Sequence, residues 1–140
     1  MSEDQLVHFK WIAFASEAPA LQTALADGGA NLEPPTPYKP SGEELDEFAH
    51  AGFEPLTLLA GAVAIGFLID RAVIAIKDLK HGGLVVEQTA DGLKLHETSA
   101  LPRGVALFVG PNGTERFDSS KPGVNIVDAM KSLVGLDKKP

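Results

Sequence analysis

Apolar positions along this chain change period twice, and the changes predict its elements. From Leu6 to Ala15 they alternate. Val7, Phe9, Trp11 and Ala13 share one face and His8, Lys10, Ile12 and Phe14 the other, so the stretch predicts a strand rich in aromatic and β-branched residues. Ser16 is placed to cap a short helix with Pro19 in its first turn, Leu21 and Leu25 inward, and Gly28-Gly29 as its stop. Residues 33–40 (EPPTPYKP) hold four prolines. They predict an extended, polyproline-like connector over the surface, or a ligand for a proline-binding module. Ser41-Gly42-Glu43-Glu44 is a capping box that opens an acidic helix through about His50, with Leu45, Phe48 and Ala49 as its apolar stripe.

From Pro55 to Ile76 the apolar character becomes continuous, with charge only at Asp70 and Arg71. The expectation is one long helix from about Pro55 to Lys80, closed near Gly82-Gly83. Glu54 at its start and Lys77 and Lys80 at its end would complement the helix dipole. Beyond it alternation returns. Leu84–Thr89 and Leu93–Thr98 flank an Asp-Gly turn, and Val105–Val109 and Thr114–Phe117 flank an Asn-Gly turn, which predicts two hairpins. A last helix fits Val124–Val134, capped by Asn125, with Ile126, Val127, Met130, Leu133 and Val134 inward. The expected fold is a single α+β domain over residues 1–140. Its sheet would be largely antiparallel, with two hairpins in the C-terminal half, covered by the long central apolar helix.

That apolar run could also cross a bilayer. Its uncharged part, Pro55–Ile69, is 15 residues, short of the roughly 20 a spanning helix needs. Extending it places Asp70 and Arg71 inside, at about 2.5–3.5 kcal/mol each near the helix centre. A spine buried against the domain's own sheet, or against a second subunit, is therefore the leading expectation, and a membrane-associated protein the alternative. Ala60, Gly61, Ala62, Ala64 and Gly66 would let a neighbouring backbone approach closely in either case.

Composition narrows the function. Hydrophobic residues make up 44% and charged residues 22% of the chain, which fits a folded domain rather than a disordered one. There is no cysteine, so disulfides, thiolate metal sites and a cysteine nucleophile are ruled out. The net charge is −7, with −8 in residues 1–54 and +1 in the remainder, and no basic stripe carries interleaved aromatics. Nucleic acid is not an expected partner. The first ten residues lack the basic and apolar regions of a signal peptide, in keeping with a cytoplasmic protein.

No catalytic signature stands out. His8, His50, His81 and His96 show neither metal-ligand spacing nor a neighbouring carboxylate motif, and they read as surface or strand-edge residues. Gly110-Pro111-Asn112-Gly113-Thr114 lacks the Lys-Ser/Thr ending of a phosphate loop and precedes a strand. No serine sits in a nucleophile elbow. The expectation is a non-enzymatic protein with no cofactor and no metal. Glu43, Glu44, Asp46 and Glu47 form a solvated helix face or an acidic docking surface for a basic partner. Asp70 and Arg71 sit either at the rim where the helix leaves the core or across an oligomer or partner interface. With Lys77 and Lys80 they make up the candidate interaction residues.

Four stretches together resemble a known family: VHFKWIAFASEAPALQTAL, PPTPYKPSGEEL, LTLLAGAVAIGFLIDRAV, and VALFVGPNGTERF before a closing helix. They are similar to the small accessory domains of bacterial conflict systems called effector-associated constant components. The hairpin LVVEQTADGLKLHE departs from that layout. The resemblance implies a non-catalytic adaptor that joins effector or protease partners in a defence complex, and it assigns no residue a role. The resulting expectation is an interaction module, oligomeric or built into a larger complex, that binds through the long helix and the acidic N-terminal third.

Overall fold

Alternate side chains of a strand enter two different surroundings, and the first strand already separates them. The computed structural model describes residues 4–38, 56–80, 82–90, 92–111, 113–119, 121 and 125–134. In strand β1 (Leu6–Phe14), Phe9, Trp11 and Ala13 are buried on one side, while His8 and Lys10 are exposed on the other. Helix α1 (Ala18–Asp27) follows with Leu21 and Leu25 buried. Ser16 is not its cap. Glu17 holds that position, makes no side-chain cap bond, and donates its N–H to Phe14 O at 2.9 Å as the chain turns out of the strand. Gly28 ends the helix and Gly29 takes φ 91°, a backbone state that glycine adopts without strain.

The proline-rich segment is an edge strand rather than a free connector. Its two parts, β2 (Asn31–Leu32) and β3 (Thr36–Tyr38), pair antiparallel with β4 (Leu56–Ala64). Glu33 N–H still donates to Ala60 O at 2.8 Å, and pairing resumes at Thr36 opposite Leu58. Pro34 and Pro35 therefore face Leu59 alone. Neither has an N–H to donate, so the ladder bulges there. The capping box and acidic helix expected over residues 41–50 lie outside the described residues.

The largest correction concerns the expected long helix. Leu56–Ala64 is strand β4, and only Ile65–Asp78 is helical, as α2. All nine residues of β4 pair antiparallel with the nine of β1, and β2 and β3 flank its other side. Hydrogen bonding on both sides outweighs the weak strand preference of Leu, Ala and Gly. A strand enclosed on both flanks reads as one continuous apolar run, which hides its period. Gly61 is needed for the edge pairing, because a Cβ there would run into the carbonyl of Asn31.

Helix α2 is amphipathic rather than apolar all round. Ile65, Leu68, Ile69, Ala72, Val73 and Ile76 are buried, and Asp70, Ile74, Lys77 and Asp78 are exposed. Its 14 residues span about 21 Å. Among the described residues no helix is long and apolar enough to cross a membrane.

Both expected hairpins form, as β5 (Gly83–Gln88) with β6 (Gly92–Thr98) and β7 (Val105–Gly110) with β8 (Gly113–Asp118). The sheet they join is mixed, not largely antiparallel, because β1 runs parallel to β6 and β5 parallel to β7. Among the described residues it has eight strands in the order β2-β4-β1-β6-β5-β7-β8, with β3 also on β4. Helix α3 (Ile126–Val134) is capped as expected, Asn125 Oδ1 accepting the N–H of Asp128 at 3.1 Å, with Ile126 and Met130 buried. The protein is thus α+β. Buried residues of all three helices join one core cluster with Phe9, Trp11, Leu59, Leu84, Leu95 and Phe108. Since these strand residues share one face, the described helices cover that face alone. The other face carries a smaller cluster of Val85, Leu101 and Val105, with Leu107 and Val109 half-buried against it.

Candidate functional site

The sheet face opposite the described helices is where the register places chemically distinct side chains together. Lys10 of β1 lies between Ala60 of β4 and Lys94 of β6. Two positions away, His8 stands between Ala62 and Gly92, and Ile12 between Leu58 and His96. All of these but His96 line a groove of about 640 Å³, within the roughly 300–1,000 Å³ of small-ligand pockets. Its floor is Ile12, Leu58, Ala60 and Ala62; Lys10, Lys94 and His8 form one wall, and Asn31, Glu33 and Tyr38 of the edge strand form the other. Two small residues on β4 keep the floor low between the longer side chains. Gly92 closes one end tightly, since a Cβ there would meet the carbonyl of His8.

The groove carries charge of both signs. Lys10 and Lys94 are direct neighbours in the ladder, about 5 Å apart at their backbones, and like charges so placed repel. Glu87 stands opposite Lys94 on its other side. Among the described residues no carboxylate pairs with Lys10.

A second polar feature lies on the helix-covered face. Glu97 is 2% exposed. Trp11 Nε1 donates to its Oε2 at 2.9 Å, and the Phe14 backbone N–H donates to its Oε1 at 3.0 Å. Burial pushes its carboxyl up from 4.5 to about 7; the bonds from Phe14 and Trp11 pull the other way, and the nearby charge of Glu17 adds to the rise. A carboxyl near neutrality suits acid–base work. This one is sealed from solvent, with both oxygens occupied, and it ties the end of β1 to β6 where the direct ladder between them has stopped. Its inward position could have been read from alternation, because Leu93, Leu95 and Glu97 fall on one face. His96, expected at a surface or edge, is 3% exposed, with the Tyr38 ring edge-on at 5.9 Å. His8 is exposed as expected, and His50 and His81 lie outside the described residues.

Of the expected interaction residues, four are described and four are not. Glu43, Glu44, Asp46 and Glu47 lie outside the described residues. Asp70, Lys77 and Lys80 are exposed and Arg71 half-buried, on or just after α2, and none lines the groove. No ion pair joins Asp70 to Arg71 among the described residues, and Arg71 Nε is buried without a hydrogen-bond partner there. No group of three His, Asp or Glu among the described residues could hold a metal ion. The sequence reading missed the groove because its floor is the strand expected to be helix. No family model matches the chain, and neither does any curated protein or solved structure.

Proposed function

We propose that the chain is a non-catalytic interaction module that holds a protein partner, a second copy or another chain, against the sheet face opposite its described helices. One observation carries the reading: the three described helices cover the same face. The opposite face keeps Leu107 and Val109 half-buried beside the exposed Thr114 and Arg116 of β8, a mixed apolar and polar patch of the kind that partners cover. Both sheet edges disfavour recruitment by strand addition. Pro34, Pro35 and Pro37 break one, and Glu115 and Arg116 put charge on the other. The resemblance to effector-associated constant components supports placing this module in a cytoplasmic effector or defence complex, as an adaptor without chemistry of its own. Binding through a long apolar helix is no longer part of the reading, because that helix does not exist.

The test compares the wild-type protein with Leu107→Asp and Arg116→Glu on the open face and Ile74→Asp on α2. Light scattering and hydrogen exchange on the complex purified from its host should show protection in β7 and β8. Both open-face variants should lose the partner and Ile74→Asp should keep it. Protection confined to α2 and α3, or a monomer of 14.7 kDa with no partner under every condition, would overturn the proposal.

A further inference from the structure

We infer that the groove along β4 is a site for a free α-amino acid with a large apolar side chain, its zwitterionic head above Ala60 between Lys10 and Glu33 and its side chain on Leu58 and Ile12. The inference shares with the preceding proposal only the premise that the sheet face opposite the described helices is the working surface.

Three features select this chemistry. The first is a cation and an anion on opposite walls. Lys10 of β1 and Glu33 of the edge strand stand on the two sides of Ala60, Lys10 through the β1–β4 ladder and Glu33 through its N–H bond to Ala60 O. Both are exposed and line the groove, and neither side chain has an ion-pair or hydrogen-bond partner among the described residues. Lys94 takes no part, because it already has a partner and Glu87 stands opposite it. The second feature is the separation. Two strand spacings put the Lys10 and Glu33 backbones about 10 Å apart, and the small side chain of Ala60 leaves the space between them open. Pro34 restricts Glu33 to an extended backbone, which keeps it in register with Ala60. A head group with ammonium and carboxylate on one carbon fills that space. Its carboxylate accepts from Lys10 Nζ and its ammonium donates to the Glu33 carboxylate. A ligand with a single charge matches one wall and leaves the other unmatched, and a residue inside a peptide carries neither charge. The third feature is the floor. Leu58 lies about 7 Å from Ala60 along the strand, with Ile12 beside it and the Tyr38 ring on the edge. That end offers carbon and an aromatic ring to an apolar side chain, and the volume of about 640 Å³ has room for it.

The experiment titrates L-phenylalanine into the full-length protein and follows backbone amide NMR shifts. Phenylpropionate (no ammonium), phenethylamine (no carboxylate) and glycine (no apolar side chain) serve as comparison ligands. Phenylalanine is expected to saturate at one per chain, shifting amides of β1, β4 and the edge strand, and to bind at least about tenfold tighter than each of the other three. Lys10→Gln and Glu33→Gln should each weaken it at least about tenfold. In Glu33→Gln the preference for phenylalanine over phenylpropionate should vanish, and in Lys10→Gln the preference over phenethylamine. Ala60→Leu should block the site. If that variant does not melt cooperatively, the two charge variants, both at exposed side chains, decide the matter alone. No saturable binding, equal binding of any comparison ligand, indifference to either charge substitution, or shifts confined to the helices would each overturn the assignment. Arg116→Glu separates the two proposals. It should remove the partner and leave phenylalanine binding unchanged, and absence of the amino-acid site in a protein that keeps its partner would sink this inference alone.

Discussion

Trp11, the only tryptophan in the chain, donates its indole N–H at 2.9 Å to Glu97, the only carboxylate buried among the described residues. The two lie on one face of neighbouring strands, and the same carboxylate takes the backbone N–H of Phe14. The fluorescent probe of the core is thus bonded directly to a buried carboxyl that titrates.

That bond predicts how stability depends on pH. Folding raises the Glu97 pKa from 4.5 to about 7, so between those values the folded state holds a proton that the unfolded chain has released. The stabilisation from protonated Glu97 is complete below about 4.5, declines as pH rises, and is gone above about 7. Its size is on the order of 3 kcal/mol. Urea unfolding between pH 4 and 8, read by Trp11 emission, should show stability falling through this window. Glu97→Gln keeps one acceptor and cannot ionise, so it should flatten the slope. An unchanged slope in that variant would assign the titration to other groups.

Gly61 predicts a local steric effect. A Cβ at this position would collide with the carbonyl of Asn31 and press on Leu32, so Gly61→Ala must push β2 off β4. The expected loss is about 1–3 kcal/mol in chemical unfolding, with faster amide exchange at Glu33, whose N–H bonds Ala60. Wild-type exchange at Glu33 in the variant would mean that the edge strand accommodates the methyl.

Helix α3 has one cap worth testing. Asn125 Oδ1 accepts the Asp128 N–H at 3.1 Å, one of the four donors the first turn leaves free. Asn125→Ala should cost about 1 kcal/mol, whereas Asn125→Asp should cost little, because a carboxylate accepts the same bond and favours the helix dipole. A thermal melt of both variants decides it, and equal losses would discount the cap.

The legible parts of the fold were those set by local signals. The hairpins β5–β6 and β7–β8 show alternation on both sides of Asp-Gly and Asn-Gly, and the Asn125 cap and the strand β1 show through local pattern alike. β4 could not be read this way. Its residues 56–64 are apolar on both faces because partners flank it and helices press on one side, so neither period survives in the sequence. Its pairing with β1 joins residues about fifty positions apart, which no local window contains. The groove was hidden for the same reason. Lys10 and Lys94 become neighbours only through the parallel β1–β6 pairing, and the alanines that deepen the floor looked like helix residues. Glu97 was available from alternation alone, as a charge at an inward position.

Asp70 and Arg71, the charged pair inside the apolar run, illustrate how the split of that run changes an expectation. In one long buried helix the two would have needed each other or a partner. In α2 they are consecutive, and consecutive residues of a helix point about 100° apart. Asp70 is exposed and Arg71 half-buried, with its Nε buried without a hydrogen-bond partner among the described residues. Asp70→Asn should therefore shift stability by less than about 0.5 kcal/mol. Arg71→Met, which keeps an apolar stem and removes a polar atom that gains no bond, should be neutral or slightly stabilising, while Arg71→Ala should lose about 1 kcal/mol through missing packing. The double-mutant cycle on the isolated protein should give a coupling energy below about 0.5 kcal/mol. A larger coupling would mean that the two side chains do pair in solution and would overturn this prediction.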